Sequence, residues 1–206
     1  MKVGIVNNGL GNVGSVYSAL KFYKKYDAGV VNNVKELESA DVIILAGVGN
    51  FVAAVSRLKK LQFWDKLNEE VLVKKKPVLG ICLGMQLFAD VSYEDGENKG
   101  FGWISGKVIK IDESLVRIPH IGWNEVKYSD DTLFKGMLYN FFYFMHSYHF
   151  VPDDKNVIIG KTDYNNFEIV SAVKKENIVG VQFHPEKSQG DGLRFLRNFL
   201  EVFFDI

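Results

Sequence analysis

The stretch Lys76-Pro77-Val78-Leu79-Gly80-Ile81-Cys82-Leu83-Gly84-Met85-Gln86-Leu87 limits the possible folds more than any other part of the chain. Pro77 to Ile81 is a short apolar run with the length of a buried strand, and Leu83, Gln86, Leu87 and Asp90 then recur at helical spacing. Gly80-x-Cys82-x-Gly84 puts the chain's single cysteine on the corner between the two. Small flanking residues permit the tight strand-to-helix turn that pushes a nucleophile into the open, so this is the thiol version of a nucleophile elbow. A helix starting just beyond the sulfur would add partial positive charge and favour thiolate. A cysteine without such surroundings is ordinarily a small buried apolar residue.

The rest of the first half repeats the pattern. Lys2 to Val6 reads as a strand, followed by a helix marked by Val13, Val16, Tyr17 and Leu20. The turn between them, Gly9-Leu10-Gly11-Asn12-Val13-Gly14, formally matches a dinucleotide fingerprint. That fingerprint needs a carboxylate at the end of the second strand, and Ala28 to Val31 ends in Asn32-Asn33. The glycines therefore read as a tight β–α turn, with a nucleotide-binding module as the weaker alternative. Asp41 to Leu45 is a third strand ending in Ala46-Gly47-Val48-Gly49, where glycines allow close backbone approach to a ligand. Helical spacing returns in Val55, Leu58, Leu61 and in Trp64, Leu67, Val71. Strands alternating with helices at these lengths predict a doubly wound, mostly parallel α/β sheet.

Beyond about residue 95, Phe101 to Ile111, Ile118 to Tyr128, Asn140 to Val151, Val157 to Tyr164 and Glu168 to Phe183 are strand-like. Several of them can pair as antiparallel meanders packed against the parallel half, and Leu193, Leu196, Leu200 and Phe203 mark a closing helix. No linker or repeat divides the chain, so the expectation is one domain over residues 1–206.

Composition excludes several classes. Lys and Arg number 25 and Asp and Glu 25, so nothing electrostatic favours nucleic acid or an anionic membrane surface. No apolar run approaches the ~20 residues of a membrane span. A single cysteine rules out an internal disulfide framework, and only four residues separate Met1-Lys2 from the polar Asn7-Asn8, too few for a signal peptide. The expectation is a cytoplasmic protein.

A nucleophilic thiol needs a base and a group that orients the base. Of the four histidines, His184 follows the apolar strand Ile178 to Phe183 and opens His184-Pro185-Glu186, with a carboxylate placed to hold its tautomer. His120, His146 and His149 lack that arrangement; His149 reads as a packing or surface histidine, and the other two stay open between that and a role. The scattered histidines and lone cysteine give no metal-ligand spacing, and no cofactor is indicated. Spacing and chemistry alone lead to a Cys-His-Glu hydrolase or acyl-transfer enzyme, without choosing among carboxamide, thioester and ester.

Gly80-Ile-Cys82-Leu-Gly84-Met-Gln86 together with Gln182-Phe-His184-Pro-Glu186-Lys-Ser188 resembles the class I (triad) glutamine amidotransferases. Gly9-x-Gly11-Asn12, Gly47-Val48-Gly49-x-Phe51, Pro119-His120-x-Gly-Trp123-Asn124 and Tyr143-Phe-x-His146-Ser-Tyr148 are similar, more narrowly, to the glutaminase subunits of imidazole glycerol phosphate synthases. The resemblance implies that Cys82 attacks the side-chain amide of glutamine, that His184 moves the protons, and that Glu186 orients His184. It implies an oxyanion hole from backbone at Leu83 and at Gly47, Val48 and Gly49. Glutamine would be held by Gln86, Glu94 and backbone near Ser147 and Tyr148. Asn12, Pro119, His120, Trp123, Asn124, Tyr143 and Lys187 would face a (β/α)8-barrel synthase subunit, in a heterodimer, that consumes the ammonia.

The sequence departs from the family pattern at Asn7-Asn8, where Asp-Tyr is usual, and at Ala46, where proline is usual before Gly-Val-Gly. Neither touches the triad. Both lie where a changed partner would impose changed contacts, which keeps open a paralogue serving a synthase that modifies a surface sugar. A catalytically silent interaction module is the remaining alternative, and the intact Cys82, His184 and Glu186 argue against it.

Overall fold

The computed structural model describes residues 1–204. Strand β1 (Lys2–Val6), helix α1 (Val13–Phe22), β2 (Asp27–Val31), α2 (Val34–Ser39), β3 (Val42–Gly47), α3 (Phe51–Lys60) and α4 (Phe63–Asn68) follow in turn. A π-helical turn at Glu69–Val73 leads to β4 (Val78–Cys82) and α5 (Leu83–Gln86). Then come β5 (Val91–Ser92), β6 (Asn98–Lys99), β7 (Gly106–Lys110), β8 (His120–Glu125), β9 (Lys127–Tyr128), β10 (Phe141–His146) and β11 (Tyr148–Pro152). Last are β12 (Ile158–Tyr164), β13 (Phe167–Lys175), β14 (Ile178–Val181) and α6 (Gln189–Val202).

Eight strands form the main sheet in the order β2-β1-β3-β4-β14-β13-β12-β9. The strands from β2 to β14 in that order run parallel, and β13, β12 and β9 continue the sheet antiparallel. Alternation of side chains along each strand sorts the core onto two faces. Val3, Ile5, Ile44, Leu79 and Val181 pack under α1 and α6 on one face; Val6, Ile43, Leu45 and Val78 pack under α2, α3 and α4 on the other. Each large apolar side chain so buried is worth ~1.5–3 kcal/mol of transfer free energy. Among the described residues, no helix is long and apolar enough to cross a membrane.

Three sequence expectations change here. The antiparallel strands β13, β12 and β9 extend the parallel sheet edge to edge rather than packing against it as a separate layer. Phe101 to Ser105 is not strand: its amides instead cap the carbonyls that follow α5, as described below. Asn140 to Val151 is broken at Ser147, so β10 pairs with β8 in a two-stranded ribbon while β11 joins β7, β5 and β6 in a small second sheet. The break is functional geometry, because it brings the backbone of residues 145–148 to the carboxyl ends of the parallel strands. Asp191, buried in the first turn of α6, accepts the amides of Leu138, Tyr139 and Asn140 at 2.8–3.0 Å and so anchors the entry to β10.

Candidate active site

Strand β4 carries Cys82 to the carboxyl end of the sheet, paired with Gly47 at the end of β3. The Cys82 backbone sits at φ 54° and ψ −109°, which a β-carbon disfavours, so the corner is strained at the residue bearing the thiol. Glycine permits the close packing around it: a Cβ at Gly84 would lie 1.7 Å from the Leu45 carbonyl oxygen, and one at Gly80 2.7 Å from the Gly84 carbonyl. The helix beyond is shorter than the spacing predicts. It ends at Gln86 because the carbonyls of Leu87, Phe88 and Ala89 are taken by the amides of Phe101, Ile104 and Gly102 at 2.8–3.1 Å. The apolar repeat therefore serves the core, and Asp90 turns away to accept the Gly106 amide. A four-residue helix supplies little macrodipole. What polarises the sulfur is a side chain: Gln182 Nε2 donates to Sγ at 3.6 Å.

His184 follows the end of β14. Its amide donates to the Tyr143 carbonyl at 2.8 Å, its carbonyl accepts from Ser188 Oγ at 2.6 Å, and Ser188 Oγ accepts the Tyr143 amide at 3.0 Å. Strand β10 thus clamps the turn that holds the imidazole. Nδ1 lies 2.8 Å from Glu186 Oε1, and both side chains are buried. A carboxylate only accepts, so Nδ1 carries the proton and Nε2 is the free nitrogen. That nitrogen has no hydrogen-bond partner; the Cys82 thiol is directed instead at the Met145 carbonyl, 3.9 Å away. Burial opposes charge on His184 and is the largest single influence. The charge and hydrogen-bonding of Cys82, then the hydrogen bond and charge of Glu186, outweigh it together and push the imidazole up to about 10. An imidazolium placed beside the cysteine is a proton donor for a leaving amine.

A cavity of about 290 Å³ opens over the sulfur, lined by Gly49, Cys82, Leu83, Gln86, Glu94, Met145, His146, Ser147 and Tyr148. A larger groove of about 410 Å³ beside β9 and β12 is lined by neither cysteine nor histidine, so chemistry rather than size selects the site. Glu94 accepts the Phe51 amide at 2.8 Å, and burial raises its carboxyl pKa. The cavity gathers every residue that the sequence assigned to glutamine. The oxyanion segment is only partly brought in. Gly49, at φ 101°, lines the cavity, whereas the Val48 amide points at the Leu10 carbonyl, 3.4 Å away, and neither Gly47 nor Val48 reaches the cavity wall. In this conformation Leu83 and Gly49 are the members of that set at the cavity.

Of the residues expected at a partner face, Trp123 is 45% exposed and stands edge-on to Tyr143, whose ring also receives the Lys187 ammonium at 5.6 Å. Pro119 is exposed and Asn124 half-buried. Asn12 is half-buried at the start of α1, the helix that packs against the Pro185–Lys187 turn. His120 departs from expectation: it is 1% exposed, stacked between Phe144 and Tyr164, so its side chain is not part of the surface. The β-strand alternation that turns Trp123 outward turns His120 inward. Burial lowers the pKa of His120 to about 4. His149 packs edge-on to Phe167 with neither ring nitrogen bonded, a packing histidine. Among the described residues no three His, Cys, Asp or Glu side chains are grouped to hold a metal. Sequence reasoning gave no role to Gln182 or Ser188; the signal for Gln182 was a lone amide closing the apolar run Ile178 to Val181.

A strained cysteine at the carboxyl end of a parallel strand, with a carboxylate-held histidine just beyond the neighbouring strand, is the arrangement of a triad amidotransferase. The chain belongs to the glutamine amidotransferase class-I family, which it matches over residues 5–202. Solved structures agree on the fold: one titled as a glutamine amidotransferase superposes with a TM-score of 0.77 at 18% identity, covering 97% of each chain. PurLQS from Thermotoga maritima superposes at 0.75 and 17%, covering 98% of each. Sequence relatives are nearer. Imidazole glycerol phosphate synthase subunit HisH of Pelagibacter ubique is 44% identical, over 98% of this chain and 100% of that protein. The HisH subunit of Pyrococcus furiosus is 46% identical over 96% and 97%, and that of Aquifex aeolicus 41% over 97% and 96%.

Proposed function

We propose that this chain is the glutaminase subunit of an imidazole glycerol phosphate synthase, with Cys82, His184 and Glu186 as its catalytic residues. The observation that carries the chemistry is the cavity in which the strained Cys82 meets glutamine-sized space beside a His184 held cationic by charge. Thiolate Sγ adds to the side-chain carboxamide carbon, and the amide oxygen takes the negative charge against the Leu83 and Gly49 amides. Collapse breaks the C–N bond while His184 Nε2 gives its proton to the nitrogen, releasing ammonia and leaving a γ-glutamyl thioester. The now neutral imidazole takes a proton from water, hydroxide adds to the thioester carbon, and glutamate leaves with the thiolate restored. Gln86 and Glu94, with the backbone at Ser147 and Tyr148, hold the substrate.

Near-complete coverage at 41–46% identity to HisH subunits supports the pathway. The exposed Trp123, Leu138, Tyr139 and Phe141 around a groove of about 480 Å³ support a partner on that face. The test is reconstitution with the (β/α)8-barrel cyclase of histidine biosynthesis. Glutaminase activity stimulated by the loaded cyclase is the expected result, and Trp123→Ala should lose that stimulation with an unchanged Tm. Stimulation by a sugar-modifying synthase alone would leave the chemistry standing and overturn the pathway. A large fall in Tm with stimulation intact would make Trp123 a packing residue.

A further inference from the structure

One backbone carbonyl sets the direction of two hydrogen-bonded arms, one running to the exposed ribbon and one to the thiol. The Tyr148 carbonyl can only accept, and two donors reach it: His146 Nδ1 at 2.9 Å and Gln86 Nε2 at 2.8 Å. On the first arm, His146 Nδ1 must carry the proton, so in the neutral ring Nε2 is an acceptor. His120 Nδ1, 3.0 Å from that Nε2, must then be the donor, and His120 Nε2 the acceptor. Asn124 on β8 supplies the donor, its Nδ2 lying 3.1 Å away. Burial lowers the pKa of both rings, which keeps them neutral as this direction requires. On the second arm, Gln86 Nε2 gives its other hydrogen to Gln182 Oε1 at 3.1 Å, so Gln182 turns Nε2 toward Cys82 Sγ at 3.6 Å. Both hydrogens of the Gln86 amide are engaged, which leaves its Oε1 as the acceptor available to the cavity.

We infer that Asn124, His120, His146, the Tyr148 carbonyl, Gln86 and Gln182 form one polarised chain, in which His120 and His146 are positioning residues for bound glutamine. The inference rests on the glutaminase reading. It assigns the buried histidines no proton transfer: they hold the Tyr148 carbonyl and hence the orientation of Gln86.

Two substitutions at one position separate this from packing. His120→Phe keeps an aromatic ring between Phe144 and Tyr164 but neither accepts nor donates. His120→Gln loses the stacking but offers an amide oxygen to Asn124 and an N–H to His146. With the full chain and glutamine, His120→Phe should raise KM ~tenfold, the scale of a buried polar group left unpaired, while kcat changes little. His120→Gln should keep a KM closer to the parent's in spite of a lower Tm. Equal KM values for the two variants, or the reverse order, overturn the relay and leave His120 as packing. Asn124→Ala, at the half-exposed end, is the variant that spares the core, and it should raise KM in the same sense. Nitrogen-15 NMR of the parent reads the chain without substrate: both rings should be neutral Nδ1–H tautomers, and either ring as Nε2–H overturns the proposal. A parent that hydrolyses no glutamine while showing both Nδ1–H tautomers would sink the glutaminase reading, and with it the relay's purpose, rather than the hydrogen-bond direction.

Discussion

Burial acts alike on His184 and on the His120–His146 pair, yet the two regions end in opposite protonation states. Desolvation is the largest influence on all three rings and lowers each. Around His184 the charges of Cys82 and Glu186 reverse it, to about 10. Around His120 and His146 the hydrogen-bond partners among the described residues are an amide, another ring and a carbonyl, and none of them reverses it. Strand β10 touches both regions, through Tyr143 to the His184 turn and through His146 to the Tyr148 carbonyl. The lesson is that a buried histidine becomes an acid or a neutral linker according to whether a fixed anion shares its pocket.

The comparison breaks most completely at the anion. Cys82→Ala should abolish glutamine hydrolysis while ammonia-dependent synthesis by the complex survives, and it should move the His184 pKa down from about 10. NMR titration of His184 alongside glutamate release checks both; hydrolysis at the parent rate would sink the nucleophile assignment. Next in size, His184→Ala should slow turnover by ~10²–10⁴-fold, and Glu186→Gln by less, because the amide can still accept from Nδ1. Single-turnover measurement of glutamate release decides, and a neutral His184→Ala would refute the assignment of the base.

The smallest effect is on stability against pH. His120 and His149 have folded values of about 4 against an ordinary 6.5. Between those values the unfolded chain binds more protons, so their contribution is intact above 6.5 and is lost as pH falls toward 4. His184 has the opposite sign: its contribution is present below 6.5 and is lost as pH rises through about 10. Melting curves across pH should therefore fall on both sides, with His120→Phe flattening the acid side and Cys82→Ala the alkaline side. An acid limb unchanged by His120→Phe would contradict the buried, neutral state of that ring.

The parallel half was readable because its information is local. The run Val78 to Ile81, the glycines around Cys82, and the alternation of apolar strands and amphipathic helices each lie within a few residues of the structure they specify. His184-Pro185-Glu186 was readable for the same reason: the orienting carboxylate is two residues away. The length of α5 was not, because the loop that captures its following carbonyls comes from Phe101 to Ile104. Nor was the inward turn of His120, since a motif shared with relatives names a residue without saying which face of a strand it occupies.

By itself, then, the sequence pointed to the doubly wound α/β class, the elbow, and Cys82, His184 and Glu186 as the side chains proposed for the triad. Short-range sterics and spacing suffice for those, whereas the family was legible only through the resemblance of its motifs. Only the tertiary structure decided that Gln182 is the donor to the sulfur, that the Val48 amide is held by Leu10, and that Asn124 is joined to Gln86 through two neutral histidines. Those partners are separated by tens of residues in the chain. Their protonation and direction follow from burial and from which atoms can only accept, and both exist only once the chain has folded.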